Sequence, residues 1–151
     1  MKEAQRKYDI VIYGATGFTG QLVAEYFANN VDFSKVKWAI AGRDQSKLLS
    51  IKNKLVVQFP ELLELDHIIA DTDNPDALDA LAKSTKLVIT TVGPYQIHGE
   101  PIVKACVQAG THCLDLTGEP KFVENIYKHY NFPAERNQAL IINSCGFDSV
   151  P

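Results

Sequence analysis

Gly14, Gly17 and Gly20 carry the clearest chemical signal in the chain, within Tyr13-Gly14-Ala15-Thr16-Gly17-Phe18-Thr19-Gly20. They follow the β-branched run Ile10-Val11-Ile12-Tyr13 and lead into the helical pattern Gln21-Leu22-Val23-Ala24-Glu25-Tyr26-Phe27. A buried strand, a glycine turn and a helix together present main-chain amides to a diphosphate. Gly14 suits the tight turn out of the strand. A side chain at position 17 would stand where a phosphate must approach, and Gly20 lets the helix lie close to the strand. Gly14 to Gly20 is therefore the expected pyrophosphate cradle, and a glycine turn without a ligand is the plain alternative.

Arg43 is the next informative residue. The second expected strand ends in Gly42-Arg43, where NAD enzymes usually place an acidic residue for the ribose 2′-hydroxyl. A guanidinium there can hold a 2′-phosphate through charge-assisted bonds, which favours NADP(H) over NAD(H), and a solvated loop charge is the plain alternative. Ser46 and Lys47 either extend that phosphate pocket or serve as a cap and a solvated helix face. Asp71, after the third strand, either accepts from the adenine amino group or closes a turn. Gly93 and Pro94 let the main chain pass close to the nicotinamide-side ribose. Tyr95 and His98 follow, as groups that could orient substrate or donate a proton, or as an aromatic wall and a solvated histidine. Asp115, Thr117, Glu119, Cys145 and Asp148 also fall after strands. Glu119 could simply charge a helix N-terminus, and Cys145 reads as a small buried thiol rather than a nucleophile.

These residues need a scaffold. Strands are expected at 10–13, 36–41, 67–70, 87–92, 112–116 and 139–143. Helices are expected at 18–30, 45–59, 76–83, 100–109 and from the turn at 117–120 to about 130. Leu48, Ile51, Leu55 and Phe59 share one face of the second helix. Asn74-Pro75 reads as an N-cap with proline at the first helical position. This alternation predicts a Rossmann-type doubly wound α/β fold: six parallel strands with helices on both faces. Such sheets bind ligands at the carboxyl ends of their strands. At the end, Asp148 or Ser149 reads as a helix cap before Pro151. Residues 1–151 are thus expected to be the cofactor domain of a longer polypeptide whose substrate part lies elsewhere.

The 151 residues are one domain's worth, 46% hydrophobic and 22% charged. A net charge of −3 argues against a broad nucleic-acid surface. No stretch approaches the roughly 20 apolar residues of a membrane span. The polar start, Met1 to Lys7, has no signal-peptide core. Cys106, Cys113 and Cys145 lack CxxC spacing and are expected to be reduced thiols in the cytoplasm or a similar compartment. His67, His98, His112 and His129 show no ligand spacing, so no metal is expected.

Five blocks in order resemble the saccharopine dehydrogenase-like oxidoreductases. They are Tyr13 to Gly20, Ala41-Gly42-Arg43 with Ser46-Lys47-Leu48, Val92 to Tyr95 with His98 to Pro101, Asp115 to Glu119, and Gly146 to Pro151. The resemblance spans about Tyr8 to Pro151 and extends to the trans-acting enoyl reductases. It implies an NADP(H)-dependent oxidoreductase with a second domain for substrate binding and dimer contact. It also implies a small-molecule or lipid-like carbonyl or enoyl substrate, a homodimer, and association with lipid droplets or mitochondria. It does not imply oxidation of saccharopine. A non-catalytic NADP(H)-binding sensor or scaffold is the alternative. It is kept open because Tyr26, Tyr95, Tyr127 and Tyr130 each lack a lysine four residues on.

Overall fold

The computed structural model of the chain describes residues 6–146. Among these, β1 is Tyr8–Tyr13, β2 Trp38–Gly42, β3 Asp66–Ile69, β4 Thr85–Thr90, β5 His112–Asp115 and β6 Ile141–Ile142. The helices are α1 Phe18–Asn30, α2 Gln45–Gln58, α3 Pro75–Ser84, α4 Tyr95–Ala109 and α5 Pro120–Arg136, with a 3₁₀ turn at Pro60–Glu64. The sheet order is β3-β2-β1-β4-β5-β6, and every pairing is parallel. The order reverses between β1 and β4, which is where such sheets open a ligand crevice. The expected doubly wound fold is therefore the observed one. The helix start expected near Asp148 lies outside the described residues.

Alternation along the central strands sends side chains to two cores. Ile12 and Ile40 pack with Trp38, Leu48, Ile51, Leu55, Leu62 and Leu65 beneath α1 and α2. Val11, Tyr13 and Val88 pack on the other face with Leu78, Leu81, Ile102, Val103, Phe122 and Ile126 of α3, α4 and α5. Each such Leu or Ile contributes about 1.5–3 kcal/mol by leaving water. These two layers make the strand ends a rigid edge.

Boundaries differ from expectation where distant groups intervene. β4 ends at Thr90 rather than 92; Thr91 still donates its N–H to Tyr13 O at 2.9 Å, and its hydroxyl bonds the glycine turn. α4 begins at Tyr95, five residues before the expected start, although Gly99 and Pro101 look like helix breakers. Gly99 is a packing residue: a Cβ there would lie 2.7 Å from the Phe122 ring. α5 continues through Pro133 to Arg136. Asn74 does cap α3, accepting from Ala77 N–H at 3.2 Å, with Pro75 first in the helix.

Candidate functional site

The glycine turn joins β1 to α1 at the centre of the carboxyl edge. Gly14 has φ +89°, and a Cβ there would stand 2.7 Å from Thr91 Oγ1. Its N–H and that of Ala15 both donate to Ala41 O, at 2.9 and 3.1 Å. Gly20 closes the turn from below, since a Cβ would fall 2.0 Å from Gly14 O. Gly17 differs: the nearest atom to an added Cβ is Gly14 O at 3.4 Å, and the remaining side is open. Gly17 is also the N-cap of α1, with no side-chain cap and no acidic residue in the first turn. The positive end of α1 is thus left without an internal anion. Phe18 stands outward at that end, 83% exposed.

A cleft of about 230 Å³ runs along this edge. Gly14, Thr16, Gly17, Arg43, Gly93 and His98 line it, together with Tyr13 and Thr91. Arg43 also borders a neighbouring recess with Asp44, Ser46 and Asp71. Its exposed guanidinium makes no hydrogen bond or ion pair with the described residues. Asp44 takes Ser46 instead: the Ser46 hydroxyl donates to its carboxylate at 2.7 Å, and Lys47 N–H does so at 3.0 Å. These bonds, that of Ser46 foremost, hold the Asp44 carboxyl below its ordinary range. Ser46 is therefore part of a helix cap, while Lys47 is exposed one turn into α2 and lines neither recess. Asp71 Oδ1 accepts from Asp73 N–H at 3.1 Å and from the Thr72 hydroxyl at 3.4 Å, so the turn aspartate exists, and Oδ2 takes no hydrogen bond from the described residues.

The β4–α4 loop forms the far wall. Gly93-Pro94 is a cis peptide; Gly93 lines the cleft, and Pro94, exposed beside it, is the N-cap position of α4 and does not line the cleft. Tyr95 does not overhang the crevice. It is 6% exposed, tilted against Phe122 at 5.6 Å, and donates its hydroxyl to Thr90 O at 3.0 Å. Burial pushes that hydroxyl up to about 12, so it is an aromatic wall. Within the first turn of α4 only His98 reaches the cleft.

Asp115 and Thr117 turn out to be scaffolding. The Asp115 carboxylate, 2% exposed in its residue, accepts from Thr117 N–H, Ser144 N–H and Asn143 Nδ2. Glu119 caps α4 across the loop rather than its own helix. Cys145 is exposed, which corrects the expected buried thiol, whereas Cys106 and Cys113 are buried. Sequence reasoning missed Thr91. Its hydroxyl donates to Gly14 O at 3.1 Å and its N–H to Tyr13 O at 2.9 Å, clamping the turn from β4. No local motif announces such a residue.

The strand order, the uncapped glycine turn and the crevice define a dinucleotide-binding domain of the Rossmann type. Residues 10–141 match the saccharopine dehydrogenase NADP-binding domain. The chain belongs to that family, and NADP is its cofactor. It is 43% identical over 158 residues to the saccharopine dehydrogenase-like oxidoreductase of Mus musculus, covering 100% of this chain and 37% of that one. Over 151 residues it is 42% identical to the trans-acting enoyl reductase of Mycobacterium bovis (strain BCG / Pasteur 1173P2), covering 100% and 35%. The chain thus spans about a third of the length of these relatives. Apo saccharopine dehydrogenase (L-Glu forming) from Saccharomyces cerevisiae superposes with a TM-score of 0.68 at 17% identity, over 93% of this chain and 28% of that one. Citrobacter sp. triphenylmethane reductase complexed with NADP(H) gives 0.63 at 16%, over 89% and 48%. These two show the shared fold. No helix among the described residues is long and apolar enough to cross a membrane.

Proposed function

We propose that the chain is the cofactor domain of an NADP(H)-dependent oxidoreductase acting on a small-molecule or lipid-like carbonyl or enoyl substrate. One observation carries this reading: the uncapped start of α1 and the unpaired Arg43 guanidinium line the same cleft. The amides of Phe18, Thr19 and Gly20 at the start of α1 meet the pyrophosphate, while Gly14, Ala15, Thr16 and Gly17 shape the turn beside it, three of their own amides being tied to Ala41 O and Gly14 O and Gly17 leaving the space the phosphates need. Arg43 takes the 2′-phosphate, and Lys47 adds positive charge from the next turn. Asp71 accepts from adenine through the oxygen its own turn does not use. Gly93 and Pro94 lie against the nicotinamide-side ribose, and His98 faces the substrate side of the same cleft. Bound nicotinamide supplies the hydride chemistry, while the protein supplies position. The mycobacterial relative's name, trans-acting enoyl reductase, supports the enoyl substrate. Homodimerisation and association with lipid droplets or mitochondria complete the proposal and rest on the resemblance alone.

The test is turnover by the full-length protein on a carbonyl and enoyl panel, followed by the absorbance of reduced nicotinamide. Consumption of NADPH with one substrate class supports the reading. Tight NADPH binding with no turnover on the whole panel would replace it with a redox sensor.

A further inference from the structure

Tyr13 ends β1 and precedes Gly14 directly. Its residue is 2% exposed and belongs to the core face that carries Val11, Ala70 and Tyr95. Buried phenols normally find a partner for the hydroxyl. The two other buried ones do so: Tyr8 donates to Asp66 Oδ2 at 2.7 Å and Tyr95 to Thr90 O at 3.0 Å. The Tyr13 hydroxyl makes no hydrogen bond with the described residues. It is not sealed off either. Among the described residues, the fully buried side-chain polar atom without a partner is Trp38 Nε1, not Tyr13 Oη. The hydroxyl thus keeps some accessible surface, and Tyr13 is among the residues that line the cleft.

Its surroundings say which end of that cleft. Burial chiefly, then the charge of Asp71, raises the hydroxyl pKa, while Arg43 opposes them and Asp73 adds to them. All three charged groups follow β2 or β3, on the side of the sheet away from β5 and β6. A phenol so placed stays protonated at neutral pH and acts as a donor.

We propose that the Tyr13 hydroxyl is a binding group for the adenosine half of the dinucleotide. It donates to an oxygen or nitrogen acceptor on the adenine, ribose and 2′-phosphate end. This rests on the cofactor reading above and assigns it a contact outside the glycine turn and Arg43.

Tyr13→Phe removes one oxygen and keeps the ring. In the full-length protein, calorimetry would compare 2′,5′-ADP, NADPH and nicotinamide mononucleotide. The variant is expected to bind 2′,5′-ADP and NADPH about three- to tenfold more weakly, by the same factor. Nicotinamide mononucleotide should be unaffected. The unfolding midpoint without ligand should match wild type, since no protein hydrogen bond is lost. Unchanged affinity for 2′,5′-ADP would overturn the inference, as would a loss confined to nicotinamide mononucleotide. A midpoint lowered by several degrees would also overturn it, by revealing a structural partner. Failure of the wild-type protein to bind either adenosine ligand is a different result, which removes the cofactor reading itself.

Discussion

Glu119 holds the start of α4 across 24 residues of sequence by accepting from Tyr95 N–H at 2.8 Å. Its second oxygen accepts from Gln96 N–H at 2.9 Å. One carboxylate thus satisfies two of the donors that a helix start leaves unpaired, and sets an anion at its positive end. Val92 and Gly93, immediately ahead, line the cleft. Glu119→Ala should lower the unfolding free energy by about 1–2 kcal/mol in urea. Glu119→Gln keeps one acceptor oxygen and should recover part of that loss. Equal stability of all three proteins would rule out the cap.

Gly17 and Gly20 separate binding from folding. Gly20→Ala places a methyl 2.0 Å from Gly14 O, inside the main chain itself. It should cost more than about 3 kcal/mol or prevent folding, seen as a large fall in the thermal midpoint. Gly17→Ala meets only Gly14 O at 3.4 Å, so its unfolding free energy should stay within about 0.5 kcal/mol of wild type. Its NADPH affinity should fall at least about tenfold, because the methyl enters the space proposed for phosphate. A Gly17→Ala protein that binds NADPH normally would remove the cradle from the proposal.

What the sequence reveals here is what is local. The α1 bounds matched because strand, turn and helix signals are contiguous, and Asn74-Pro75 marks α3 by chemistry within one turn. Arg43 is legible because its position relative to a strand end is a short-range fact. The α4 start was not, because the Glu119 cap arrives from another loop and overrides Gly99 and Pro101. Thr91 was missed for the same reason: its partners are the Tyr13 and Gly14 carbonyls, 78 and 77 residues away. Ser46 and Lys47 had two readings each, and the Asp44 carboxylate engages the Ser46 hydroxyl within the helix cap.

Asp66 gives a pH dependence of known sign. The Tyr8 hydroxyl, then Lys7 at 2.9 Å, hold its carboxyl below the ordinary value. A depressed folded pKa contributes stability above the unfolded value of about 3.9. That contribution is lost as pH falls through the folded pKa. Asp66→Asn should therefore be less stable than wild type near neutrality. The gap should close as urea melts are taken down to about pH 3. A gap independent of pH would show that the ionised carboxylate contributes nothing.

The central claim is that the Arg43 cleft takes a 2′-phosphorylated dinucleotide, and paired titrations of NADPH and NADH test it most directly. With wild-type protein, NADPH should bind more tightly than NADH. Arg43→Ala should weaken NADPH about ten- to a hundredfold, the size of a lost charge-assisted bond, and leave NADH nearly unchanged. Equal loss for both nucleotides, or no preference in the wild-type protein, would contradict the account.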